Sequence, residues 1–169
     1  MKWKTSWLVL PLLLFILVLG VKWRVDHPTP TKTDLEIRAL MLSAATVEVF
    51  HTPRNNKQRK AHKVKFSTKE LKPLTEGFYI SPQPVKTSSV RMGVSGTIQV
   101  YCFLAKPRAD GVAGVFVTIA VDDREGRVIL GHPDYIHELN LHPVTVKRWL
   151  DILLADPRLY PRLQTRKTL

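Results

Sequence analysis

The chain opens on one long apolar run and then settles into short segments of alternating or helical period. The run from Trp7 to Val21 reads WLVLPLLLFILVLGV, with Lys2 and Lys4 ahead of it and Lys22 and Arg24 behind. An uncharged run of this kind predicts a single transmembrane helix. From Trp7 to Trp23 a helix extends roughly 25 Å, against a hydrocarbon core of ~30 Å. The two tryptophans suit the interfaces, and the flanking lysines can snorkel. The expected anchor residues are Trp7, Leu8, Leu12, Leu13, Leu14, Phe15, Ile16, Leu17, Leu19 and Trp23. The rival reading is a cleaved secretory signal, with Val18 and Gly20 as small residues ahead of a cut.

His27-Pro28-Thr29-Pro30-Thr31 is a stiff, extended linker. Thr33-x-x-Glu36 reads as a capping box, and Ile37, Leu40, Met41, Ala44 and Ala45 recur at helical spacing, so a helix is predicted over 34–45. Residues 46–51 alternate and are β-branched, which predicts a strand. Val64 and Phe66 can start a short strand, and 77–80 and 85–92 are further strand candidates. The central pattern is an antiparallel meander. Ile98, Val100, Cys102 and Leu104 point one way and Gln99, Tyr101 and Phe103 the other. Val115, Val117, Ile119 and Val121 line one face of a second strand, with Phe116, Thr118 and Ala120 opposite. A third strand begins at 127–130 and a last one is expected over 135–141. Pro143 suits a helix start, Val146, Trp149, Leu150, Leu153 and Leu154 form a helical stripe, and Pro157 ends it.

The expected organisation is an anchor with basic flanks over 1–24, a Pro-rich linker over 25–33, a soluble α+β domain over 34–156 and a basic tail over 157–169. The fold class is α+β: a single transmembrane helix, then one domain with a twisted antiparallel sheet and helices packed on one face.

Composition changes the picture in one respect. The 169 residues carry 26 Lys and Arg against 14 Asp and Glu, a net charge of +12. Such an excess calls for either a solvated basic surface or an acidic partner. It concentrates in Arg54, Lys57, Arg59, Lys60, Lys63 and Lys65, a stretch without an acid and the candidate binding site for an acidic protein segment or anionic lipid. Nucleic acid is disfavoured, since only Phe66 stands near those cations and stacking wants aromatics among them. The one cysteine, Cys102, excludes an internal disulfide and reads as a small buried apolar residue. His132, His137 and His142 lie five apart, a spacing that puts all three on one face of neither a helix nor a strand. No nucleophile motif or phosphate loop is present. No catalytic residue, cofactor or metal site is therefore expected, and the chain reads as a non-enzyme.

Gly96-Thr97-Ile98-Gln99-Val100-Tyr101-Cys102-Phe103-Leu104, then Lys106-Pro107-Arg108 with Gly111 and Gly114, then Val115-Phe116-Val117-Thr118-Ile119 carry a resemblance. Behind an N-terminal anchor and one amphipathic helix, they resemble the mitochondrial inner-membrane family that contains the cytochrome oxidase assembly factor and the presequence translocase accessory subunit. The resemblance implies a non-catalytic factor, single-pass in the inner membrane, with its domain in the intermembrane space. Its expected role is biogenesis of a respiratory or translocase complex, by holding a membrane-complex subunit or docking on an acidic receptor segment. Two alternatives stand beside it: a bacterial inner-membrane scaffold with a small periplasmic domain, and a secreted basic binding module if the leader is cleaved.

Overall fold

The computed structural model describes residues 6–26, 28–53, 62–82, 96–132, 134 and 136–159. The chain divides into two compact units, Met1–Pro30 and Thr31–Leu169. The first holds α1 (Ser6–Asp26), a helix with Pro11 inside it. Its described side chains, from Leu10 to Trp23, are exposed. Of the expected anchor residues, Leu12, Leu13, Leu14, Phe15, Ile16, Leu17, Leu19 and Trp23 lie on this exposed stretch, whereas the side chains of Trp7 and Leu8 fall outside the description.

The transmembrane expectation is corrected here. Among the described residues, no helix is long and apolar enough to cross a membrane. The physical shortfall is one of length. The uncharged run from Trp7 to Val21 rises about 22 Å at ~1.5 Å per residue, where a span of ~30 Å takes about 20 apolar residues. Lys22, Arg24 and Asp26 then load the last turns with charge. The single-pass transmembrane part of the expected fold class falls with this. So do the inner-membrane placement with an intermembrane-space domain and its periplasmic counterpart.

The second unit is the α+β part. It runs α2 (Lys32–Leu42), β1 (Thr46–Thr52), β2 (His62–Phe66), α3 (Thr68–Glu76), β3 (Thr97–Phe103), β4 (Gly114–Ala120), β5 (Glu125–Gly131), β6 (Ile136–Asn140) and α4 (Pro143–Ala155). The strands form one six-stranded antiparallel sheet in the order β2-β1-β3-β4-β5-β6. Alternation decides which face is covered. Val47, Val49, Ile98, Val100, Cys102, Val115, Val117, Ile119 and Val128 are buried against Ile37, Leu40 and Met41 of α2, Leu71 and Leu74 of α3, and Val146, Trp149, Leu150 and Leu153 of α4.

Each helix starts where its cap dictates. α2 is capped by Thr31 with Asp34 as the reciprocal partner, two residues ahead of the expected Thr33–Glu36 box. α3 was not foreseen. Its signal is Ser67-x-x-Glu70, a complete capping box, with Phe66 before the cap and Leu71 in the first turn both buried. α4 begins at Pro143, with His142 as its cap.

The segment after α3 is held from two sides. Arg38 donates to the Phe78 carbonyl through Nε at 3.0 Å and Nη2 at 2.6 Å, and the Ile80 amide donates to Asp34 Oδ1 at 2.7 Å. From α4, Thr145 Oγ1 receives the Tyr79 amide at 2.7 Å, while Trp149 Nε1 ties the last turn of α3 itself by donating to the Leu74 carbonyl at 2.8 Å. The strand expected over 77–80 is therefore only a bridge, Ile80 to Leu141. These backbone groups are satisfied by side chains of α2 and α4 instead of a full ladder. The strand expected over 85–92 lies outside the described residues.

Candidate functional site

The second face of the sheet contributes nothing to the core cluster, and its composition is unusual. Period-two alternation sends Phe50 of β1, Tyr101 and Phe103 of β3, and Phe116 and Ile129 of β4 and β5 to that side. Register brings them together. Tyr101 stands opposite Phe116, and Phe116 opposite Ile129. Phe50 meets the Tyr101 ring edge-on at 5.3 Å between centroids, and Phe116 lies 5.4 Å from Tyr101 and 5.7 Å from Phe103. Tyr101 and Phe103 are parallel, 6.1 Å apart. Phe103 is 39% exposed, and the other three are half-buried. Gly131 makes room for this cluster: a Cβ there would stand 2.5 Å from Phe116 Cε2.

Charge rims the rings on both sides. On the β2 side, Lys63 Nζ lies 2.8 Å from Glu48 Oε1 and 5.3 Å from the Phe50 ring centroid, a cation over a π face. Lys65, opposite Glu48 in the ladder, is exposed. On the β6 side, Arg127 Nη1 donates to Glu138 Oε1 at 2.8 Å.

The sequence-predicted basic site divides here. Lys63 and Lys65 sit two apart on β2 and face the aromatic side, while Arg54, Lys57, Arg59 and Lys60 lie outside the described residues. The aromatic cluster itself was missed. The alternation that placed Tyr101, Phe103 and Phe116 away from the core was legible, but their convergence with Phe50 beside Lys63 depends on strand pairing.

The other chemical candidates resolve into structural roles. Cys102 is fully buried on the helix-covered face, and burial pushes its thiol up to about 12, away from the reactive thiolate. His142 Nδ1 accepts the Val144 amide at the start of α4. His132 Nδ1 accepts the Asp134 amide, which leaves Nε2 as the donor to the Asp110 carbonyl at 2.7 Å. His137 is exposed on β6. Among the described residues, no group of three or more His, Cys, Asp or Glu is placed to hold a metal ion. His51 is buried, and its Nδ1–H donates to the Leu159 carbonyl at 3.1 Å. Burial is the main cause that lowers its pKa, partly offset by that carbonyl.

No protein-family model, curated protein or solved structure matches this chain.

Proposed function

We propose that the Thr31–Leu169 unit is a non-catalytic binding module, an assembly or interaction factor that holds a protein partner on its aromatic sheet face. The observation that carries the reading is the grouping of Phe50, Tyr101, Phe103 and Phe116 on the side of the sheet outside the core, rimmed by Lys63, Lys65 and Arg127. A centre of Tyr and Phe inside a charged rim is the anatomy of a protein interface. Two features favour a protein over a polyanion. Phe50 and Phe116 meet Tyr101 and Phe103 edge-on or tilted and only the Tyr101–Phe103 pair is parallel, so the four rings do not form one common stacking platform. Glu48 and Glu138 also stand among the cations, where they would repel phosphates. The assembly role implied by the family resemblance fits a module of this kind.

The test is a photo-cross-linking amino acid placed at Phe103 or, as a control, at the exposed Asp151 of α4. Discrete protein adducts from Phe103 that survive nuclease treatment are expected, with none from Asp151. Equal adducts from both positions, or adducts abolished by nuclease, would refute it.

A further inference from the structure

We infer that the free edge of β2 takes an acidic segment of the partner as a seventh strand. The inference rests on the reading of the aromatic face as a protein-docking surface and adds the partner's chemistry and its mode of attachment.

The two edges of the sheet differ. Beyond β6, the Ser81 amide donates to the Asn140 carbonyl at 2.8 Å and Ile80 bridges to Leu141, so the segment after α3 covers the Asn140 end of that edge. Beyond β2 no such cover exists among the described residues. His62 to Phe66 pair with β1 and make no backbone hydrogen bond to any other described segment. An open row of N–H and C=O groups is a template for another strand.

Charge selects which strand. Lys63 and Lys65 point to the aromatic face, whereas Val64 and Phe66 point to the helix-covered face. A second copy pairing through β2 would set lysines beside lysines on one face, and like charges opposite one another destabilise a ladder. The lysines thus bar self-association and pairing with basic strands, and an acidic strand is the complement that remains. Glu48 already engages Lys63, but Lys65 makes no ion pair among the described residues. Arg54, Lys57, Arg59 and Lys60 precede β2 in the chain, and the net charge of +12 steers an acidic partner to it. The pleat then dictates a pattern. Acidic residues alternate with apolar ones, the acids beside Lys63 and Lys65 and the apolar residues beside Val64 and Phe66. The strand so placed extends the sheet next to Phe50, and the rest of the partner reaches the aromatic cluster.

The probe is a labelled peptide of about seven residues alternating glutamate with valine, titrated into the full-length chain at low salt and followed by fluorescence anisotropy. The control has the same composition with the glutamates in one block. The alternating peptide is expected to bind about tenfold tighter than the block peptide, the worth of two or three matched cross-strand pairs. It should slow amide exchange at 62–66, and Lys65→Thr, which leaves no like charge opposite Glu48, should weaken it about threefold with an unchanged urea midpoint. Equal binding of the two peptides, or protection elsewhere than β2, would overturn the inference. So would equally effective competition by a single-stranded oligonucleotide or phosphatidylserine vesicles. The two proposals fail separately. Adducts from Phe103 together with equal binding of the two peptides remove strand addition and leave the docking face, and absence of Phe103 adducts in the wild type removes the docking face itself.

Discussion

Asp34 joins a helix cap to a loop, and its removal should cost far more than loss of a cap alone. It is 1% exposed and accepts three hydrogen bonds. Oδ2 takes the Thr31 amide at 2.6 Å and the Thr31 hydroxyl at 2.8 Å, and Oδ1 takes the Ile80 amide at 2.7 Å. In return the Asp34 amide donates to Thr31 Oγ1 at 3.2 Å. Thr31→Ala removes the hydroxyl alone, a cap loss of about 1 kcal/mol. Asp34→Ala strips two backbone amides of a charged acceptor. Adding about 2 kcal/mol for the tie to Ile80 gives a total of about 3 kcal/mol. For a unit of this size each kcal/mol lowers Tm by about 3 °C, so shifts of about 3 °C and 9 °C are expected. Asp34→Asn should fall between them, since its amide oxygen can serve one backbone donor while its NH2 confronts the other. Urea unfolding followed by far-UV circular dichroism measures the free energies, and amide exchange at Ile80 reports the tie directly. An Asp34→Ala loss no greater than that of Thr31→Ala would refute the claim that this carboxylate anchors the segment after α3.

Two further outcomes are expected. Gly131→Ala places a methyl group 2.5 Å from Phe116 Cε2, so the ring must turn. A loss of about 1–3 kcal/mol with an altered near-UV circular dichroism band should result, and an unchanged band would contradict the packing of the cluster. The pH dependence should follow His51 and His142, whose pKa values burial lowers. The unfolded chain takes up these protons near pH ~6.5 while the folded chain resists them, so stability is full above that value and declines as pH falls through the lowered pKa values. His142→Ser keeps a capping oxygen and should flatten part of that decline in Tm; an identical slope would show that His142 contributes none of it.

The sheet strands were legible because half of each is buried. Ile98, Val100 and Cys102, then Val115, Val117 and Ile119, alternate so regularly that their inward face follows from the sequence. Their neighbours did not follow, because β1 pairs with β3 across a long stretch of chain and no local pattern encodes that choice. The aromatic face escaped the sequence for the same reason: Phe50 and Tyr101 become neighbours only through register. α3 escaped notice for a different reason. Pro73 stands inside a helix of nine residues and argues against it locally, while the Ser67–Glu70 box and the burial of Leu71 and Leu74 prevail. For α1, unbroken apolar character reads as a membrane span, but the length of the run falls short of one.

Sheet order also bears on how the polypeptide is made. β1 emerges early in synthesis, yet one of its two flanking strands, β3, emerges only after α3 and the segment behind it. A lone β1–β2 hairpin is marginal in water, so the nascent chain must wait with an apolar strand half matched. The wait ends late. Leu159, 1% exposed, sends its carbonyl to His51 in β1 from beyond α4. A premature stop just ahead of Leu159 would release a product with β1 to β6 in place and a hole beside β1, prey for quality-control proteases.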